Sequence, residues 1–363
     1  MAGTSVLITG GAGFVGTNVA KHLAGRGIRI RILDSLARAG SEQNIAWITQ
    51  QFPEQIEFLR GDVRDRAALL EAIQDVDHVY HFAAQVAVTT SLVDPLADFE
   101  TNAGGTLNLL ETARACVQPP SIVYSSTNKV YGGLADIEVQ AIGKRYVPTD
   151  ERVRGHGVSE LRNLEFHSPY GCSKGCADQY VLDYSRSFGL RTVVMRMSCI
   201  YGPHQHGNED QGWVAHFVRR ALSDGEVTVF GDGRQVRDML FVEDLVDAFE
   251  RARTHIDELS GQAFNIGGGP KNTLSVLELI EQVEQITGRP MQVSTDQWRV
   301  GDQRYYVSDI SRFTAACGWR PQVNVSAGLN ALCEWFEDAQ AAELPTSTPF
   351  LANRASAAGA PNP

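Results

Sequence analysis

Residues Ser5–Gly16 read Ser-Val-Leu-Ile-Thr-Gly-Gly-Ala-Gly-Phe-Val-Gly. The first five are a short apolar run of the kind that builds a strand buried on both faces. Four glycines follow within seven residues, and from Phe14 to Ala24 apolar residues recur at helical spacing. Strand, glycine turn and helix together form the unit in which backbone N–H groups and a helix dipole meet a pyrophosphate. Gly11, Gly13 and Gly16 complete a GxGxxG, and Gly10 opens a wider GxxGxxG. A second run, Ile28–Leu33, ends at Asp34, close to the ~20 positions at which a carboxylate accepts from a ribose 2′-hydroxyl. That carboxylate repels a 2′-phosphate, so the pattern predicts NAD rather than NADP. The expected contacts are Gly10, Gly13, Phe14, Val15, Gly16, Asp34 and Ser35, with Arg38 placed to soften the preference.

Outward from this unit the alternation continues. Strands are expected at Ile56–Leu59, Val76–Phe82, Ser121–Tyr124 and Thr192–Met197, with helices near Arg66–Gln74, Asp98–Cys116 and Tyr170–Phe188. Strands alternating with helices predict an α/β fold, a Rossmann-type doubly wound parallel sheet over residues 1–200. Asp62-Val63 and Ala83-Ala84 follow the next two strands, placed to meet the adenine amino group and to let a dinucleotide pass over the sheet edge. After Tyr201 the alternation loosens into a smaller mixed α/β substrate lobe, 201–340, interleaved with the first. There Glu226–Phe230 and Gln262–Ile266 are expected as isolated strands, among helices at Val214–Ser223, Val242–Arg253 and Ser275–Thr287. The tail 345–363, rich in Pro, Ala, Ser and Gly, is expected to be disordered.

The chain has 363 residues, 43% hydrophobic and 21% charged, with a formal charge of −11. The acid surplus argues against nucleic acid as a partner. No run approaches the ~20 apolar residues of a spanning helix, and the N-terminus lacks the basic and small-residue marks of a secretory leader. No membrane partner and a cytoplasmic location are therefore expected. Six scattered cysteines without CxxC spacing predict reduced, mostly buried thiols. His204 and His206 offer two ligands without a third, so no metal is expected.

Tyr170 and Lys174 stand at i and i+4, one turn apart on a helix face. Lowering a phenol pKa from ~10 to ~7 takes about 4 kcal/mol. One cation ~4 Å away at an effective dielectric of ~20 supplies about that. Such a tyrosine is a general acid/base near neutrality; without its neighbours the pair would read as a surface pair. The neighbour is Tyr124–Gly132, Tyr-Ser-Ser-Thr-Asn-Lys-Val-Tyr-Gly, a strand running into a polar loop.

The glycine turn, Ser125–Gly132, Tyr170-x3-Lys174 and Arg237-Asp238 to Asp244-Leu245 together resemble the extended short-chain dehydrogenase/reductase family, over residues 3 to about 340. The resemblance implies bound NAD and a nucleotide-sugar held between two lobes. It implies that Thr127 holds the reacting sugar oxygen, that Tyr170 is the acid/base, and that Lys174 holds the nicotinamide ribose and tunes Tyr170. Ser125 and Asn102 fall beside the cofactor. Gln85, Asn128, Cys199, Arg237 and Arg299 fall beside the substrate, the two arginines as partners of its diphosphate. Asn128 and Lys129 stand where 4,6-dehydratases carry acids, and Cys199 stands where 4-epimerases usually carry asparagine. The strings Gln85–Ser91, Ser125–Gly132, Phe166–Gly175, Asp210–Val214 and Gly301–Arg304 are similar to the CDP-paratose/CDP-tyvelose 2-epimerase subgroup. That likeness implies inversion at C2 of a CDP-sugar by transient oxidation, with 133–163 shaping the sugar pocket. A UDP-sugar 4-epimerase with the same triad is the alternative. A non-catalytic NAD sensor would be expected to lack Tyr170 or Lys174. The family also implies a homodimer or homotetramer.

Overall fold

A continuous apolar run gives a strand two buried faces, and seven strands, most of this kind, pair here into one sheet. The computed structural model describes residues 4–299 and 301–343; the tail expected to be disordered lies outside them. The strands are Ser5–Thr9 (β1), Arg29–Asp34 (β2), Ile56–Arg60 (β3), His78–His81 (β4), Ser121–Thr127 (β5), Thr192–Met197 and Gln262–Ile266. Their spatial order is Gln262–Ile266, Thr192–Met197, β5, β4, β1, β2, β3, and every neighbouring pair is parallel. Val6, Ile8, Ile30, Ile32, Val123 and Met195 pack on one face. Leu7, Val79, Ile122, Tyr124 and Val194 pack on the other. Chain direction along the sheet reverses between β1 and β4, which opens a crevice at their carboxyl ends.

Gln262–Ile266 is not an isolated strand of the second lobe. It is the edge of the central sheet, with Ala263 opposite Val194 and Asn265 opposite Arg196. Phe264 and Ile266 are buried beside Phe313 and Trp319, so this late segment gains both backbone partners and burial by returning to the first lobe. The helix Val242–Thr254 returns with it, burying Leu245 and Phe249 in the same core. Glu226–Phe230 is not isolated either, since it pairs in parallel with Gln292–Asp296. A small layer forms around Val236–Phe241, which pairs with Cys199–Tyr201, Thr273–Ser275 and Tyr305–Tyr306. A second core of Val214, Phe217, Leu279, Val283, Leu329 and Leu332 lies against it.

Two helices frame the glycine turn, Phe14–Ala24 (α1) and Ser41–Gln51 (α2). The single helix expected over Asp98–Cys116 is instead Pro95–Phe99, a widened π turn Glu100–Gly104, and Gly105–Arg114. Such a turn inserts one residue into the helical ladder and rotates the next helical segment about the axis; Asn102 lies on it, 1% exposed. The helix Ser168–Phe188 spans 21 residues and ends where Gly189 takes a left-handed conformation. No helix among the described residues is long and apolar enough to cross a membrane. All six cysteines are free, but only Cys333 is buried and Cys172 is exposed. This corrects the expectation of mostly buried thiols: Cys172 follows Tyr170 by two positions, which turns it to the outer side of its helix.

Two buried charges lock the long helix to the sheet. Arg196 grips Asp178 with two N–H···O bonds of 2.9 Å, the side chains being 5% and 0% exposed. Breaking a buried, hydrogen-bonded pair from one side leaves the other charge stranded at a cost of about 3–5 kcal/mol. Arg196→Met is therefore expected to lower the unfolding free energy by about that amount in urea titration. A loss below about 1 kcal/mol, the scale of an exposed pair, would contradict this.

Candidate active site

The glycine turn is closed by backbone contact. Gly10 has φ +71°, and a Cβ there would lie 2.5 Å from the Ala83 nitrogen. A Cβ on Gly16 would lie 2.5 Å from the Gly10 oxygen. Only glycine lets β1, the turn and α1 approach so closely. Gly13 is the N-cap of α1 and offers no side-chain cap, so the first-turn N–H groups of Phe14, Val15 and Gly16 have no partner within the helix. Unpartnered donors at the positive end of a dipole suit the pyrophosphate of NAD. Asp34 braces the same turn: one carboxylate oxygen accepts from the Ala12 N–H at 3.0 Å, the other from Leu36 at 2.8 Å. Ser35 follows it at the carboxyl end of β2, and Ala83-Ala84 line the approach past β4. The residues present fit the dinucleotide.

Beside this cradle β5 delivers Ser125, Ser126 and Thr127, and the long helix delivers Tyr170 and Lys174, all under 10% exposed. The Lys174 ammonium donates to the Ser125 carbonyl at 2.6 Å and lies 4.2 Å above the Tyr124 ring. Ser125 Oγ donates to the His81 carbonyl, and Ser126 Oγ donates to Asp178 at 2.7 Å. Thr127 Oγ1 accepts from the Lys129 N–H and donates to Asn128 Oδ1. Asn128 in turn donates to Gln303, which is 0% exposed and donates to the Gly132 carbonyl at 2.6 Å. The loop Gly301–Arg304 thus docks directly behind the Thr127 hydroxyl.

The electrostatics depart from the expectation that one lysine lowers the phenol. Burial pushes Tyr170 up to about 12; Thr127 and Arg38 favour the phenolate, and Asp98 opposes it. Burial likewise pushes Lys174 down to about 7, against the pull of Asp178 and Asp98. Desolvation of each charged form outweighs the pull of its neighbours, so both groups lean towards neutrality. Arg38 accordingly acts on Tyr170 in this structure.

Several expected contacts are engaged elsewhere. Asp62 is held by Arg64 at 2.8 Å, with Val63 buried behind it; that hydrogen bond keeps the Asp62 carboxyl below its usual range. Asn102 spends its amide on Gln85, Asp98 and Ser173. The Gln85 side chain turns back on Ala87. Arg237 pairs with Asp302 at 2.6 Å. Arg299 pairs with Asp210 at 3.4 Å and covers the Phe230 ring. Cys199 is a thiol pushed up to about 12 by burial. Lys129, where dehydratases carry an acid, is pushed down to about 8 by burial and lies 3.9 Å from Asp302. Sequence reasoning missed Asp178, Gln303 and the Asp98–Ser173 bond. Asp178 had a signal, because it continues the i, i+4 line of Tyr170 and Lys174.

A lysine whose folded pKa lies below its unfolded ~10.4 makes the folded chain shed its proton first. The resulting penalty is full below pH 7 and fades as pH rises towards 10. Lys174→Met is expected to melt above the parent at pH 7, with the gap narrowing by pH 9, while turnover falls at least about 100-fold. Equal melting shifts at both pH values would refute this account.

Comparison with known proteins points the same way. The NAD dependent epimerase/dehydratase family model matches residues 6–267. A CDP-paratose 2-epimerase of Salmonella typhi is 42% identical over 337 residues, covering 91% of this chain and 98% of that one. A putative UDP-glucose 4-epimerase of Methanocaldococcus jannaschii is 30% identical, covering 92% and 98%. Among solved structures, the UDP-glucose 4-epimerase of Thermus thermophilus in complex with NAD superposes with a TM-score of 0.78 at 31% identity, over 93% of this chain and all of that one. With its glycine cradle, its Thr-Tyr-Lys cluster and a match over most of its length, the chain belongs to the NAD dependent epimerase/dehydratase family.

Proposed function

We propose that this protein inverts C2 of a CDP-linked hexose of the paratose/tyvelose type, using resident NAD. The observation that carries this reading is the 42% identity to a CDP-paratose 2-epimerase over nearly the whole chain, against 30% for the 4-epimerase of M. jannaschii. Asn128 and Lys129 in place of the dehydratase acids support it.

NAD when bound supplies a cationic nicotinamide that takes a hydride from the sugar carbon and can return it to the opposite face. The chain's own residues hold it and move the proton. Phe14, Val15 and Gly16 bind the pyrophosphate, and Asp34 holds the adenosine ribose. Tyr170 takes the C2 hydroxyl proton as that carbon is oxidised and gives it back on reduction. Its high pKa without ligands means that the phenolate forms only when positive charge arrives beside it, and Lys174 and Arg38 add to that charge. Thr127 donates its hydroxyl proton to the sugar oxygen in exchange for its 3.3 Å bond to Asn128, which leaves the single C2 hydroxyl proton for Tyr170. No net oxidation occurs.

In this reading residues 1–200 are the cofactor lobe and 201–340 a substrate lobe that lends Gln262–Ile266 to the first. Residues 133–163, with the hairpin Val139–Ile142 and Arg145–Pro148, border the sugar. Arg237 and Arg299 exchange their carboxylates for the diphosphate. The protein works in the cytoplasm as a homodimer or homotetramer. Leu96, Phe99, Tyr180 and Phe188 leave apolar side chains exposed that a second copy would cover; sedimentation measures the assembly.

Proton NMR of the protein with CDP- and UDP-hexoses, without added NAD, tests the reading. Inversion at C2 changes the anomeric coupling, whereas inversion at C4 leaves it nearly unchanged. Conversion of a CDP-sugar with an altered anomeric coupling is expected, and a C4 change on a UDP-sugar would replace this reading with the 4-epimerase. Tyr170→Phe is expected to lower kcat by about 10²–10⁴.

A further inference from the structure

The segment Gly202–Gly207, Gly-Pro-His-Gln-His-Gly, has no part in the chemistry above, yet it is bound tightly over the cofactor cradle. Asn44, in the first turn of α2 and 3% exposed, donates to the Ala12 carbonyl of the glycine turn at 3.1 Å and to the His204 carbonyl at 3.2 Å. Both donors of its amide are committed to carbonyls, so its oxygen must accept, and the His206 Nε2 3.3 Å away is the donor. Asn18 of α1 repeats the pattern, donating to the Phe14 and Pro203 carbonyls at 2.9 Å each. The His204 ring lies 4.1 Å from the Trp47 ring and 5.5 Å from that of Trp335. A Cβ on Gly40 would lie 2.3 Å from the His206 ring, so the strap rests directly on the N-terminus of α2.

We infer that Asn44 is a positioning residue for the cofactor, locking the glycine turn to the His204–His206 strap so that NAD leaves only when the strap lets go. Ala12 is gripped through both of its flanking peptides, its N–H by Asp34 and its carbonyl by Asn44. Ala12 stands two positions before Phe14, the first of the residues whose free N–H groups meet the pyrophosphate, and any widening of the turn must break one of these grips. The strap belongs to the chain beyond Tyr201, so one amide couples cofactor retention to the second lobe. Of the two histidines, His204 packs its ring at a tilt against Trp47 and Trp335, and His206 is a hydrogen-bond donor. An epimerase that ends each cycle with NAD unchanged gains from such a clasp, since a released dinucleotide is an inactive site.

The test measures NAD on the purified holoprotein. Parent, Asn44→Ala and His206→Ala are passed through gel filtration, and nucleotide is released by acid and quantified. Dissociation rates are measured by exchange with excess etheno-NAD. Asn44→Ala is expected to lose NAD about tenfold faster, the effect of about one net hydrogen bond's worth of grip. His206→Ala, which keeps the Ala12 bond, is expected to lose it several-fold faster, and excess NAD should restore turnover in both. Release at the parent rate by both variants overturns the proposal, as does lost turnover that excess NAD fails to restore. If Asn44→Ala does not fold, the half-buried His206 decides alone. The proposal rests on NAD being resident, not on which sugar is epimerised. An error about the sugar would show as a parent inactive on CDP-hexoses, with the exchange rates still measurable.

Discussion

The Arg196–Asp178 pair is the contact on which the geometry of the site depends. Asp178 also accepts from Ser126, so a single carboxylate ties the helix carrying Tyr170 and Lys174 to the strand carrying Thr127. The remaining reach of Arg196 goes to the Tyr131 hydroxyl, which donates to Asn265 on the edge strand. Helix, central strand, edge strand and the turn after Thr127 thus share one polar network inside an otherwise apolar core. An apolar contact of the same area would tolerate sliding. A bidentate guanidinium–carboxylate pair does not, because its bonds are directional and a buried charge without a partner costs several kcal/mol.

That rigidity makes the electrostatics of the site possible. Tyr170 and Lys174 are held where water cannot reach them, and burial drives each towards its neutral form. Arg237 and Arg299 are paired with Asp302 and Asp210. Preorganisation of this kind trades stability for chemistry.

Much of the fold is legible along the chain. Ser5–Thr9 and Thr192–Met197 can be read to the residue, and the glycine turn, Asp34 and the Tyr170/Lys174 spacing each announce their role locally. These features depend on backbone conformation and on neighbours within a few residues, and periodicity reports that. The features that escape a reading of the sequence depend on distant partners. Gln262–Ile266 has the pattern of a strand, but no local signal says which sheet it joins. The π turn at Glu100–Gly104 interrupts a helical pattern, and although Asn102 and Gly104 are weak helix formers, nothing local says that the ladder widens there. Beside Tyr170 the spacing reveals one cation and says nothing of the desolvation of both groups.

By itself, then, the sequence determined the strand–turn–helix cradle, the parallel alternation and the one-turn spacing of Tyr170 and Lys174. Each of these comes from spacing, glycine conformational freedom and side-chain chemistry. Only the tertiary structure decided that Asp178 answers Arg196, that Gln303 stands behind Thr127, that Asn44 bolts the strap to the glycine turn, and that the phenol rests at about 12 without ligands. The physical reason is that burial and hydrogen-bond partnership are properties of surroundings assembled from residues far apart in the chain: 18 positions for Arg196 and Asp178, 175 for Asn128 and Gln303, and 160 for Asn44 and His204.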